Sequence, residues 1–183
     1  MRRCVFAIVT AGLLLTPAIA APGARAIPVK AMDEVIYVPA NSPLHFRSFG
    51  DESAAEFDGP IELSGTWYYG DNQYNDTNTP DLSLYFVPDP ASFARLPHYK
   101  VRGQPGDLYI TNPGDFLNAV IPSVDRAKVA KKDAKYLSGR IDIWVDRFEM
   151  GVECDAPFFN AHFLRVAKPP MRVALKDMPE EGC

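Results

Sequence analysis

Tyr136-Leu137-Ser138-Gly139-Arg140-Ile141-Asp142-Ile143-Trp144-Val145-Asp146, then a polar turn, then Phe158-Phe159-Asn160-Ala161-His162-Phe163-Leu164-Arg165-Val166, is the stretch that decides the fold. From Ile141 to Val145 apolar β-branched residues alternate with others, the period of a half-buried strand. The second run is aromatic and apolar with few breakers, as in a strand covered on much of both faces. Glu149 to Pro157 is long enough for a hairpin loop and too short for a helical crossover. The reading is an antiparallel ribbon that forms the spine of the core.

A second hairpin lies upstream. Ile61 to Tyr69 reads as a strand with Ile61, Leu63 and Trp67 on one face, and Leu82 to Val87 returns after the polar loop Gly70 to Asp81. Both hairpins begin with Leu-Ser-Gly, at Leu63 and at Leu137, and glycine inside a strand marks a bulge or a bend. Gly65-Thr66-Trp67-Tyr68 resembles the G-x-W element of the lipocalin and avidin barrels. That resemblance implies a β-barrel; no ligand and no binding residue is carried over from it.

Seventeen prolines leave little room for long helices. Asp89-Pro90 and Asn112-Pro113 each place a capping residue before a proline suited to the first helical position. The second could instead be a Pro-Gly turn. Ser123 to Lys135 is a third helical segment, or a polar hairpin. Glu34 to Val38 reads as the first strand, Asn41 to Gly59 as a surface loop anchored by Leu44, Phe46 and Phe49, and Met171 to Leu175 as an edge strand. The fold class is therefore mainly β: an antiparallel sandwich or small barrel with two or three short helices.

The ends speak of export. A basic start, an apolar run from Cys4 to Thr16 and the A-x-A ending Ala18-Ile19-Ala20 predict a signal peptide over residues 1–20, with Ala26 an alternative cleavage point. Residues 21–33 then form a flexible lead-in, 34–176 a single β-rich domain, and 177–183 a C-terminal tail. Losing Arg2 and Arg3 leaves 17 basic against 23 acidic residues, a net charge of −6. There is no basic footprint for a nucleic acid and no later apolar run long enough for a membrane anchor. Cys154 and Cys183 remain as an even pair, and a bridge between them would tether the tail to the central hairpin, contributing about 3–4 kcal/mol. The expected location is periplasmic or secreted.

Three features could carry chemistry. Arg140, Asp142, Trp144 and Asp146 share one side of the first spine strand, and Asn160 and His162 share one side of the second. If Asp146 lies opposite Phe158, Asp142 lies opposite His162, and an Asp-oriented His beside Arg140 makes a conceivable acid–base site. The plainer reading is a solvated sheet face, and a one-residue slip sends His162 to the other side. The loop Asp71 to Asp81 is rich in oxygen donors but lacks the EF-hand spacing, so it reads as a turn-forming loop; no metal or cofactor is expected. No nucleophile elbow or phosphate loop occurs. The aromatic hairpin, with Trp67, Tyr68, Tyr69, Tyr74, Tyr85 and Phe86, must expose some rings if one face is core. The contact residues expected there are Trp67, Tyr69, Tyr74 and Asp76. The functional expectation is an exported, non-catalytic binding or envelope accessory domain with a glycan, peptide or envelope-protein partner. The alternatives are a hydrolase-like enzyme using Asp142, His162 and Arg140, and a structural subunit of an envelope assembly.

Overall fold

Period-two alternation carries most of the chain into strands. The computed structural model describes residues 23–29, 33–50, 54–71, 82–103, 106–130, 136–153 and 156–168. In chain order these form β1 (Arg25–Val29), β2 (Glu34–Val38), β3 (His45–Phe49), β4 (Ala55–Asp58), β5 (Ile61–Asp71) and β6 (Leu82–Pro88). There follow α1 (Pro90–Phe93), β7 (His98–Tyr99), β8 (Leu108–Ile110), α2 (Pro113–Val120), α3 (Ser123–Ala130), β9 (Tyr136–Glu153) and β10 (Ala156–Val166). The architecture is mainly β with short helices, as the sequence predicts. The signal segment, Cys154, Cys183 and residues 171–175 lie outside the described residues.

β1, β2 and β7 make a three-stranded sheet. The larger sheet runs β10-β8-β6-β5-β9-β4-β3, and β9 also pairs with β10. That extra ladder closes β5, β6, β8, β10 and β9 into a ring, with β4 and β3 continuing from the far half of β9. Every neighbouring pair in the ring is antiparallel except β8 and β10. Following partners around it from Ser138 passes through Tyr68, Tyr85, Tyr109 and Asn160 and returns to β9 at Glu149. The return is eleven residues farther along the same strand, which is the stagger that tilted strands need in order to close a barrel. The G-x-W resemblance implies a lipocalin-like barrel of eight strands, whereas the ring here has five and a second, three-stranded sheet stands beside it.

β9 can serve two partners because it bends. Its first half pairs with β5 from Tyr136 to Val145, and its second half pairs with β4 from Phe148 to Met150. Arg147, at φ 47°, sits between these halves. Asp146 and Arg147 both turn away from the core while Val145 and Phe148 are buried, and the β10 register shifts across the same point. One extra residue thus lets the strand change direction and keep its apolar side inward. The core it lines includes Ile61, Leu63, Trp67, Phe86, Leu108, Ile143 and Phe159, all at most 2 % exposed. Phe116 of α2 packs edge-on between Trp67 and Phe163, with ring centroids 6.3 and 5.2 Å away.

Four expectations need correction. Residues 25–29, within the segment read as a flexible lead-in, form β1 and pair with β2 throughout. Pro28 masks that strand in the sequence, yet an edge strand tolerates a proline. Asn41 to Gly59 holds two strands rather than a loop; a register shift between Phe46 and Ser48 breaks the alternation that would have shown β3. The central hairpin has no long loop, for β9 reaches Glu153 and β10 starts at Ala156. Gly151 lies in the span read as the hairpin loop, but the Phe158 ring from β10 lies over it and supplies the cover it lacks. Finally, Asp89 and Asn112 stand at the predicted N-caps of α1 and α2, each followed by proline, but neither side chain caps its helix.

Candidate functional site

Parity decides the fate of the aromatic hairpin. Trp67 and Tyr69 share the inward side of β5 with Ile61 and Leu63, so both are buried. Burial pushes the Tyr69 hydroxyl above its ordinary pKa, partly offset by Arg126. The Trp67 indole nitrogen has no hydrogen-bond partner among the described residues. Neither ring can meet a ligand without unpacking the barrel, which corrects the expectation that they make contact. Tyr74 and Asp76 lie outside the described residues.

Nor does the structure assemble the spine triad. Because the hairpin turn is tight, the β9–β10 register runs about four residues from the expected one: His162 faces Asp146, and Asn160 faces Glu149. Asp142 lies past the end of that ladder, where its backbone oxygen accepts the Ala167 amide at 2.8 Å. A hydrogen bond from the Ser64 side chain, then one from Lys168 at 3.0 Å, holds the Asp142 carboxyl below the usual carboxylate range. Arg140 turns to Asp89, with guanidinium–carboxylate distances of 2.6 and 3.2 Å. His162 has Asn112 beside it, Nδ2 to Nε2 3.5 Å. The three proposed catalytic groups therefore belong to three separate local arrangements. Two of these are exposed ion pairs of modest energetic weight.

Among the described residues, no group of three or more His, Cys, Asp or Glu is placed to hold a metal ion. A cavity of about 200 Å³ opens where β3, β4 and β9 meet, lined by Arg47, Glu56, Asp58, Arg147 and Glu149. Its charges answer one another: Arg47 lies 3.6 Å from Glu56 and 3.8 Å from Asp58, and Asn160 donates to Glu149 at 3.0 Å.

The outward side of the same aromatic strands is different. Register sets Tyr68 of β5 beside Tyr85 of β6, and Tyr85 beside Tyr109 of β8. Partnered residues on adjacent strands share a face. The three rings therefore form one row across the barrel wall, with Ser138 at one end and Asn160 at the other. Tyr85 and Tyr109 stand edge to face, centroids 6.2 Å apart at 64°. Tyr109 is 42 % exposed, while Tyr68 and Tyr85 are partly buried by their neighbours. Residues flanking the row along the strands are Thr66, Ser83, Val87, Thr111 and the exposed Asp107. The outermost charges near it are Arg140, paired across from Thr66, and exposed Asp107, two residues before Tyr109.

Tyr68 and Tyr85 were within reach of the sequence, since placing Ile61, Leu63 and Trp67 inward puts Tyr68 outward. Tyr109 was harder to see. β8 is only three residues long, and nothing local tells that it lies between β6 and β10. No family model matches the chain, and no curated protein or solved structure matches it.

Proposed function

We propose that this chain is an exported, non-catalytic binding domain whose contact surface is the tyrosine row Tyr68, Tyr85 and Tyr109 on the barrel wall. The carrying observation is the alignment of three outward rings on three adjacent strands. Tyrosine gives large contact area at low conformational cost and keeps a polar tip in water, which suits a recognition surface. Export through the N-terminal segment and a Cys154–Cys183 bridge belong to the same proposal.

The test is a panel of soluble oligosaccharides and peptides, read by nuclear magnetic resonance of ring-labelled tyrosine in the mature protein. A ligand is expected to move the Tyr68, Tyr85 and Tyr109 signals together. The double variant Tyr85→Ala, Tyr109→Ala should lose that response with its circular dichroism unchanged. A ligand that instead perturbs His162 and is turned over by the protein would sink the binding reading.

A further inference from the structure

The tyrosine row has a chemistry of its own around it. Ser138, Thr66, Ser83, Val87, Thr111 and Asn160 surround the rings, and the charges that adjoin them, Asp107, Arg140 and Glu149, are of mixed sign. A polyanion would find no cluster of cations there, and an anionic membrane no basic patch. An added peptide strand would need an open sheet edge, whereas β5, β6 and β8 each have partners on both sides.

Ring geometry narrows the choice further. Adjacent strands lie roughly 4.8 Å apart, so the three rings repeat at close intervals across the strands rather than along them. The edge-to-face pair of Tyr85 and Tyr109 offers one ring face and one ring edge side by side. A polyproline helix is a rod that wants an aromatic-lined groove, and the outer wall of a barrel is convex. A pyranose ring is flat, has an apolar C–H face to lay on an aromatic ring, and carries hydroxyls around its rim for Ser, Thr and Asn.

From this we infer that the ligand is an uncharged oligosaccharide lying across β5, β6 and β8, with its sugar rings on Tyr68, Tyr85 and Tyr109. The inference rests on the binding reading above and specifies its substrate class. In such a complex Asn160 and Ser138 bond to sugar hydroxyls at the two ends of the row. Tyr85, in the middle, contributes most, because central and best-covered aromatic anchors dominate recognition surfaces.

The deciding experiment titrates the mature protein with four probes: a glucose hexasaccharide, an N-acetylglucosamine hexasaccharide, a sulfated hexasaccharide and a proline-rich peptide. One of the two neutral sugars is expected to bind and to shift the three tyrosine signals. Tyr85→Ala should weaken that binding about tenfold or more, and Tyr85→Phe, which keeps the ring, by less than about threefold. Comparable circular dichroism for the two variants excludes unfolding as the cause. If the sulfated sugar binds better than both neutral ones, the uncharged class is wrong. If only the peptide binds at these tyrosines, the saccharide inference is overturned while the binding face stands. If no probe moves the tyrosine signals, the inference and the binding reading fall together.

Discussion

Tyr99 on β7 is 1 % exposed, and its hydroxyl has no hydrogen-bond partner among the described residues. Burial, reinforced by the neighbouring Glu34 carboxylate, pushes its pKa up to about 12. Glu34 is itself committed elsewhere, accepting the Val35 and Val101 amides at 2.9 and 3.3 Å, and so holds β2 to the turn after β7. A buried hydroxyl left unsatisfied costs on the order of 1–3 kcal/mol. Tyr99→Phe is therefore expected to raise stability by about 1 kcal/mol, read as a higher denaturant midpoint with an unchanged slope. The sign with pH follows from the raised value. The folded state keeps the proton that the unfolded chain releases near pH 10, so this contribution is complete below about pH 10 and fades as pH climbs to about 12. Wild type should lose up to about 1.4 kcal/mol per pH unit across that window from this group, and Tyr99→Phe should lack that component. At this scale the sequence shows which residues face inward: parity assigns Tyr68 and Trp67 to opposite sides. It cannot show which buried polar group lacks a partner, because that depends on strands far away in the chain.

Asn112 shows how one side chain can hold two elements in place. It stands before α2, where the sequence suggests a cap, yet it accepts no backbone amide of the helix, and its nitrogen donates instead to the Asp115 carboxylate at 2.9 Å. It accepts the Phe163 amide at 2.7 Å and donates to the Phe163 carbonyl at 2.9 Å, extending the β8–β10 ladder by one side-chain pair. Helix α2, which sets Phe116 against Trp67 and Phe163, is thereby fixed to β10 at its start. Asn112→Ala should cost about 2–3 kcal/mol, since both Phe163 backbone groups lose their partner. Asn112→Asp keeps only an acceptor and should cost less; chemical denaturation of the two variants checks the order. If alanine and aspartate cost the same, the accepted bond, which aspartate keeps, carries no weight. The Asn-Pro signal locates the helix start correctly, but what the asparagine bonds to is a long-range fact. The same holds for the spine hairpin. Its strands and their outward sides are legible, while its register depends on a bulge at Arg147 and a covered glycine at 151. The bulge shows in the sequence as two successive polar residues, Asp146 and Arg147, between Val145 and Phe148, but the covered glycine does not, and simple alternation therefore misplaces Asp142 opposite His162.

For the molecule as a whole, the ring of strands explains why fold class was readable and topology was not. Alternation in β5, β6, β9 and β10 announces a two-sided sheet. Closure rests on the short parallel pairing of β8 with β10 at Asn160 and Ala161, which no local pattern encodes. The same view bears on maturation. β1 pairs with β2 from Arg25 opposite Val38 to Val29 opposite Glu34, and the Arg25 guanidinium donates to the Leu44 carbonyl at 3.0 Å. Cleavage after Ala26 would remove two of the five residues of β1, together with that bond, and would leave an edge strand too short to cover β2. Cleavage after Ala20 leaves the strand whole. If the chain is exported as proposed, its mature N-terminus should be Ala21, as read by intact-mass spectrometry of the secreted or periplasmic protein. A mature chain starting at Ile27 would show that β1 does not form as paired here, and the three-stranded sheet would have to be rebuilt without it. The same mass reports on the two remaining cysteines, since an internal bridge between Cys154 and Cys183 lowers it by two hydrogens and blocks alkylation until the protein is reduced.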